Sequence, residues 1–162
     1  MGRLTKWLER LTASRPGGAF FLHVATRIDR VLMRLTGGRV KLALRRPVLL
    51  LGTTGARTGA RRTTPLLYAV DGEHLVLVGS NAARSSDPGW CHNLRANPDV
   101  TVEAPGRSGR YRAHVAQGEE RERLWRHAVA AYAGYAVYER RTKDRQIPVV
   151  VLTPVEAPRA GG

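Results

Sequence analysis

The chain contains little cysteine, no long apolar run and few acidic side chains. Its one cysteine, Cys91, cannot form an internal disulfide, which favours a reducing compartment. No stretch approaches the roughly 18 apolar residues of a membrane-spanning helix, and the N-terminal residues lack the apolar run of a signal peptide. At 162 residues, these features predict a cytoplasmic protein of one main domain.

Basic residues outnumber acidic residues by 27 to 13, which gives a formal net charge of +14. Residues 1–46 contain 11 of the basic residues against only Glu9 and Asp29. An excess of this size predicts an anionic partner, either nucleic acid, a membrane surface or a phosphorylated small molecule, unless the arginines serve only solubility. Nucleic acid is disfavoured, because no recognition motif and no interleaving of basic and aromatic residues on strands is present.

Residues 1–46 show apolar residues at helical spacing. Leu4, Trp7, Leu8 and Leu11 form one stripe, and a second helix is predicted over about residues 20–36. We therefore expect basic amphipathic helices here, which either pack on the domain core or lie on an anionic membrane surface. At the other end of the chain, residues 155–162 are predicted to form a disordered tail.

From Pro47 onward the pattern is typical of short strands, and residues 47–154 are predicted to form a mostly β domain of the α+β class. Strands are predicted at residues 48–53, 62–70, 74–79, 100–104, 110–116 and 147–152, and helices at 90–96 and about 119–141, with a break near Gly134. Asp71-Gly72 predicts a hairpin turn. Six mostly antiparallel strands favour a small closed or split β-barrel, since closure removes exposed sheet edges. The absence of βαβ alternation argues against a Rossmann fold.

The segment from Thr53 to Pro65 concentrates glycine, threonine and arginine. Glycine leaves backbone N–H groups accessible, guanidinium groups match phosphate oxygens in bidentate geometry, and hydroxyl groups add donors. The start of the predicted 90–96 helix is a second candidate anion site. The segment predicts a site for an anionic group, and a solvated turn is the alternative.

The run from Gly55 to Pro98 resembles the deazaflavin-dependent nitroreductase family, the split-barrel reductases of actinobacteria. The matching motifs are Leu49-Leu50-Leu51, Thr54-Gly55-Ala56-Arg57-Thr58-Gly59, Arg62 and Pro65, Ser80-Asn81, Pro88-Gly89-Trp90-Cys91-His92-Asn93-Leu94, Asn97-Pro98, the tyrosines Tyr132, Tyr135 and Tyr138, and residues 147–151. The resemblance covers about residues 40–154. It implies a split β-barrel like that of FMN-binding and pyridoxamine-phosphate-oxidase-like proteins, and reduced deazaflavin (coenzyme F-420) as the cofactor.

The resemblance also implies a set of cofactor-binding residues. Arg57 stands at the position of the family's phosphate-binding lysine, and Arg62 matches its second basic residue. The full predicted set is Arg57, Thr58, Arg62, Thr64, Pro65, Ser80, Asn81, Pro88, Gly89, Trp90 and Asn93. Ala56 and Asn81 replace an arginine and a lysine that are frequent in the family, and Arg61 and Arg84 are candidates to compensate.

Tyr132, Tyr135 and Tyr138 are three residues apart, so they lie close to one helix face. Their rings could stack on a planar substrate and a phenol could donate a proton, or they could only pack on the barrel. Because family members use this segment to form the wall of the substrate pocket, the resemblance implies that these are catalytic residues, with Tyr135 or solvent supplying protons. The five histidines show no metal-ligand spacing with acids or Cys91, so no metal site is predicted.

The sequence therefore predicts a reductase that passes a hydride from reduced coenzyme F-420 to a small molecule, a quinone by preference, with nitroaromatic compounds as incidental acceptors. The alternative is a non-catalytic carrier or sequestering protein that holds a flavin, haem or fatty acid in the same barrel. Peripheral contact with the inner face of an anionic membrane is an open alternative to a purely soluble location.

Overall fold

The computed structural model describes residues 47–142 and 144–155. The predicted N-terminal helices of residues 1–46 lie outside the described residues, as does the predicted tail apart from Val155, so both stay predictions. Within the described ranges, no helix is both long enough and apolar enough to span a bilayer.

In the described part of the chain, one antiparallel sheet of seven strands forms the body of the domain. The strands are β1 Val48–Thr54, β2 Arg61–Leu67, β3 Ala69–Asp71, β4 His74–Val78, β5 Asp99–Glu103, β6 Gly109–Val115 and β7 Val149–Pro154. Their order across the sheet is β2-β1-β5-β6-β7-β4-β3. The two outermost strands, β2 and β3, are separated in the chain by Tyr68 alone, so the sheet must curl until its edges approach each other. This arrangement confirms the predicted split β-barrel.

The prediction of one strand over residues 62–70 was wrong. β2 pairs with β1, with Arg62 opposite Thr53, whereas β3 pairs with β4 at the other edge of the sheet. The chain passes between the edges at Tyr68, whose backbone N–H donates to the Pro47 carbonyl at 3.3 Å. The apolar run of residues 66–70 continues through this bend, and therefore cannot reveal it.

The predicted hairpin between β3 and β4 is confirmed. Asp71 pairs with His74, and Gly72 between them has a φ of +61°. This left-handed conformation carries little steric cost in glycine, which is why the Asp-Gly pair is a reliable turn signal.

The core lies inside the curled sheet and extends under one helix. Leu49, Leu51 and Thr53 alternate inward along β1 and are fully buried. β4 and β7 are buried on both faces, because their outward side chains pack against Leu124. The outward-facing residues of that second cluster on the two strands are Val76, Val149 and Val151.

Within the described residues there are three α-helices, α1 Gly89–Ala96, α2 Gly118–Ala131 and α3 Gly134–Arg141. The predicted break near Gly134 is confirmed, since Tyr132 and Ala133 separate α2 from α3. A Cβ atom at Gly134 would lie 2.3 Å from the Tyr132 ring, so the turn between the helices requires a residue without a side chain.

Candidate cofactor site

A cavity of about 500 Å³ opens where the turn between β1 and β2 meets the start of α1. It is lined by Gly55, Ala56, Arg57, Thr58, Arg62, Gly89, His92 and Asn93. Five of these were predicted from the sequence, namely Arg57, Thr58, Arg62, Gly89 and Asn93. No carboxylate is among the lining residues, so the described wall of the cavity carries only neutral and basic groups.

The turn that forms one wall is closed by its own backbone. Gly55 N–H donates to the Ala60 carbonyl at 2.8 Å, and Gly59 N–H donates to the Gly55 carbonyl at 2.9 Å. A Cβ at Gly55 would lie 2.8 Å from the Thr58 hydroxyl oxygen, and Gly59 has a φ of +67°. Both glycines are therefore needed for a compact turn that leaves Arg57 exposed at its tip.

Asn93 joins this turn to α1. Its side-chain Oδ1 accepts a hydrogen bond from Ala56 N–H at 3.0 Å, and its Nδ2 donates to the hydroxyl oxygen of buried Thr53 at 3.1 Å. Both ends of the amide are thus already engaged with the protein. The geometry gives Asn93 a positioning role, because it fixes the two walls of the cavity relative to each other.

The neighbouring arginines at the start of β2, Arg61 and Arg62, point to opposite faces of the strand. Arg62 lies opposite buried Thr53 in the sheet register and lines the cavity. Arg61, the next residue along the strand, points to the opposite face and donates to the Thr101 hydroxyl oxygen at 3.3 Å. Neither Arg61 nor Arg84 lines the cavity, so the structure does not place either candidate where it would compensate for Ala56 or Asn81.

The start of α1 forms the other wall, and it is open. A Cβ added at Gly89 would meet no atom within 4 Å, so the protein leaves free space at the first residue of this helix. The first backbone N–H groups of an α-helix have no partner inside the helix and favour anions.

The other predicted cofactor residues do not line the cavity. These are Thr64, Pro65, Ser80, Asn81, Pro88 and Trp90. Trp90 is 6% exposed within the barrel core, and the Asn81 side-chain Nδ2 donates to the Ser86 carbonyl at 2.8 Å. Direct contacts of these six residues with the cofactor stay predictions.

A mostly buried cluster of charges fixes the loop that precedes α1. The Arg145 guanidinium donates to one Asp87 oxygen at 2.6 Å, and Arg95 of α1 contacts the other at 2.7 Å. Arg145 also donates to the carbonyls of Gly79 and Ser80 at 3.2 and 3.0 Å, so it holds both ends of the loop. Burial opposes ionisation of Asp87, but hydrogen bonds from the two arginines hold its pKa below the ordinary range. No motif or spacing in the sequence indicates this cluster.

The three tyrosines form one buried aromatic group, but the prediction that they share a helix face was wrong, because Tyr132 lies in the linker before α3. Tyr132 and Tyr135 meet edge to face with ring centroids 4.8 Å apart, and Trp125 lies 6.4 Å from Tyr135. Burial raises the pKa of Tyr138, an effect that the neighbouring Tyr132 side chain partly offsets. None of the three lines the 500 Å³ cavity, so their catalytic roles stay predictions.

His92 also lines the cavity, although the sequence did not predict it as a cofactor-binding residue. It lies three residues after Gly89 on α1 and therefore on the same helix face, whereas Trp90 and Cys91 are buried. Cys91 is fully buried, and burial raises the pKa of its thiol to about 12, so it serves as a packing residue. Helical spacing from Gly89 was the signal that would have identified His92.

Comparisons with known proteins agree with the motif resemblance. The sequence pattern of the family described as F420H(2)-dependent quinone reductase matches residues 25–154. An F420H(2)-dependent quinone reductase of Mycobacterium tuberculosis is 37% identical over 158 residues, which cover 93% of this chain and 97% of the relative.

Two solved structures combine this level of identity with the same fold. One, described as an F420-H2 dependent reductase (FDR-A), is 37% identical with a TM-score of 0.59, and the match covers 66% of this chain and 94% of that one. The other, described as a domain-swapped dimer, is 36% identical with a TM-score of 0.61, and the match covers 80% and 96%. By the extent of the pattern match and the identity to its relatives, the chain belongs to the F420H(2)-dependent quinone reductase family.

Proposed function

We propose that this protein is an oxidoreductase that uses reduced coenzyme F-420 to reduce a quinone or a related planar electrophile, such as a nitroaromatic compound. The observation that carries the proposal is the cavity without carboxylates in which the exposed Arg57 and Arg62 face the start of α1. Membership of the family supports the choice of cofactor and of a quinone acceptor.

The lining residues fit a phosphorylated cofactor. Within the described residues, the side chains of Arg57 and Arg62 form no hydrogen bond or ion pair, which leaves their guanidinium groups available to phosphate oxygens. Thr58 adds a hydroxyl group, and the open side of Gly89 admits an anion to the helix start. When bound, the reduced deazaflavin supplies the hydride, while the protein supplies binding, orientation and electrostatics.

A turnover assay separates this reductase from a carrier of the same fold. Purified protein mixed with reduced coenzyme F-420 and the quinone menadione should oxidise the cofactor, which is followed by the rise of its visible absorbance. FMN in place of the deazaflavin should bind much more weakly. Tight binding of the deazaflavin without its oxidation by any quinone of a small panel would instead support the carrier function.

The tyrosine cluster is proposed to form the wall of the acceptor site, with Tyr135 donating a proton to a quinone oxygen. If proton donation limits the rate, Tyr135→Phe should lower turnover roughly 100-fold, because the ring stays while the acid is lost. The affinity for the cofactor should not change. Tyr135→Ala removes the ring as well as the acid, so it should also raise the KM for the quinone. Near-wild-type turnover in Tyr135→Phe would reduce Tyr135 to a packing or stacking role.

Residues 1–46 are proposed to add peripheral contact with an anionic membrane, because they contain 11 basic residues against two acidic ones. Each such residue near an anionic surface contributes about 1 kcal/mol, screened by salt. Co-sedimentation with anionic vesicles should therefore occur at low ionic strength and decline as salt is added. Absence of co-sedimentation at low salt would exclude this contact.

A further inference from the structure

His92 shares the candidate cavity with two guanidinium groups. Its ring lines the same 500 Å³ space as Arg57 and Arg62, and its side chain is exposed. Within the described residues the imidazole forms no hydrogen bond or ion pair, so its two ring nitrogens are free for a ligand. The neighbouring Trp90 and Cys91 are fixed in the core, which directs this face of α1 towards the cavity.

Among the described residues that line the cavity, the charged groups around His92 are all basic. Arg57 faces it from the β1–β2 turn and Arg62 from β2. On its own helix, Arg95 lies one turn later, but its guanidinium is paired with Asp87 at 2.7 Å. Thr58 and Asn93, the polar neighbours in the lining, are uncharged. An anion placed among the three groups could accept charge-assisted hydrogen bonds from a protonated imidazole as well as from the two guanidinium groups.

We infer that His92 is a third cationic ligand for the anionic end of coenzyme F-420, and that binding of this group is coupled to uptake of one proton by His92. The inference rests on the proposed function, because it assigns the cavity to that cofactor. The proton comes from solvent and adds to the free ring nitrogen, so both nitrogens then act as donors. Histidine ordinarily titrates near pH 6.5, so the coupling acts close to physiological pH.

The sign of the effect follows from linkage. If the bound state holds His92 protonated at a pH where the free protein does not, binding takes up protons and the dissociation constant falls as pH decreases. Ionisable groups of the cofactor also titrate in this range. The wild-type pH profile alone therefore does not isolate His92, and the comparison with a variant does.

Calorimetric titration with coenzyme F-420 in two buffers of different ionisation enthalpy measures the protons taken up on binding. Near pH 7, we expect wild type to take up several tenths of a proton more than His92→Gln. Between about pH 8 and pH 6, wild-type affinity should rise several-fold more than that of the variant. The matched control is His114→Gln, since His114 lies on β6 and contacts Glu120 at 3.1 Å. His114→Gln should take up as many protons as wild type on binding and show the same pH dependence of affinity.

The outcomes distinguish this inference from the function on which it rests. Equal proton uptake and equal pH dependence in wild type and His92→Gln, with tight binding in both, would overturn the role of His92 and leave the proposed function intact. Failure of the wild-type protein to bind coenzyme F-420 would overturn both. Because His92 is exposed, the variant should keep the wild-type melting temperature, so that a binding difference reports the site.

Discussion

The double variant Arg57→Ala/Arg62→Ala is expected to bind reduced coenzyme F-420 roughly 1000-fold more weakly than wild type, with an unchanged free energy of unfolding. A hydrogen bond to a charged group contributes about 1.5–3 kcal/mol, so each single variant should lose roughly 10- to 100-fold in affinity. Both side chains are exposed, and within the described residues neither has a protein partner whose loss would affect stability. Fluorescence titration of the cofactor measures the affinities.

Arg61 supplies a matched control in the same strand. It adjoins Arg62 and carries the same charge, but it points to the opposite face of β2, where it contacts Thr101. Arg61→Ala should therefore change affinity only through the general loss of one positive charge, an effect that salt screens. If Arg61→Ala and Arg62→Ala weakened binding equally, the long-range field of this basic protein would account for the affinity, and the specific contacts would be excluded.

Strands β1, β4, β5, β6 and β7 could be predicted because each buries one or both faces in a regular pattern. Local residue patterns predict the inward alternation of Leu49, Leu51 and Thr53 along β1. They also predict the turn at Gly72. The bend at Tyr68 could not be predicted, because it depends on where the two edges of a curled sheet meet. That is a property of the closed barrel and not of any window of residues.

Part of the candidate site could also be predicted, because some of its residues belong to local sequence motifs. Arg57, Arg62 and Gly89 belong to short motifs whose residue types alone indicate anion binding. The structure brings the three residues to one cavity. Asn93 belongs to the same motif, but its amide is engaged by Ala56 and Thr53, 37 and 40 residues away in the chain. Only the fold shows that this residue positions the turn.

The charge cluster around Asp87 joins residues that are still more distant in sequence. Asp87 and Arg145 are 58 residues apart and Arg145 and Ser80 are 65 apart, so neither composition nor spacing links them. The cluster nevertheless determines how the loop before α1, and therefore one wall of the cavity, is held.

Asp87→Asn is expected to lower the free energy of unfolding by about 3 kcal/mol at pH 7, more than 100-fold in the folding equilibrium. The substitution leaves the guanidinium of Arg145, whose side chain is 13% exposed, without its counter-ion, and removing one partner of a buried ion pair is strongly destabilising. Urea denaturation of the two proteins measures the difference. Asp71→Asn is the matched control, because Asp71 also binds an arginine through two hydrogen bonds, but Arg123 lies at the surface. Its loss of stability should be far smaller.

The pH dependence of this difference identifies its origin. The pKa of Asp87 is lowered in the folded protein, so the stability that its ionisation contributes is fully present above the ordinary aspartate pKa of about 3.9 and is lost as pH falls through the lower folded value. The gap between wild type and Asp87→Asn should therefore stay constant from neutral pH to about pH 4 and shrink below it. Protonated wild-type Asp87 then resembles the uncharged asparagine. A gap that stayed constant at all pH values would assign the lost stability to packing of the loop and not to the ion pairs of Asp87 with Arg95 and Arg145.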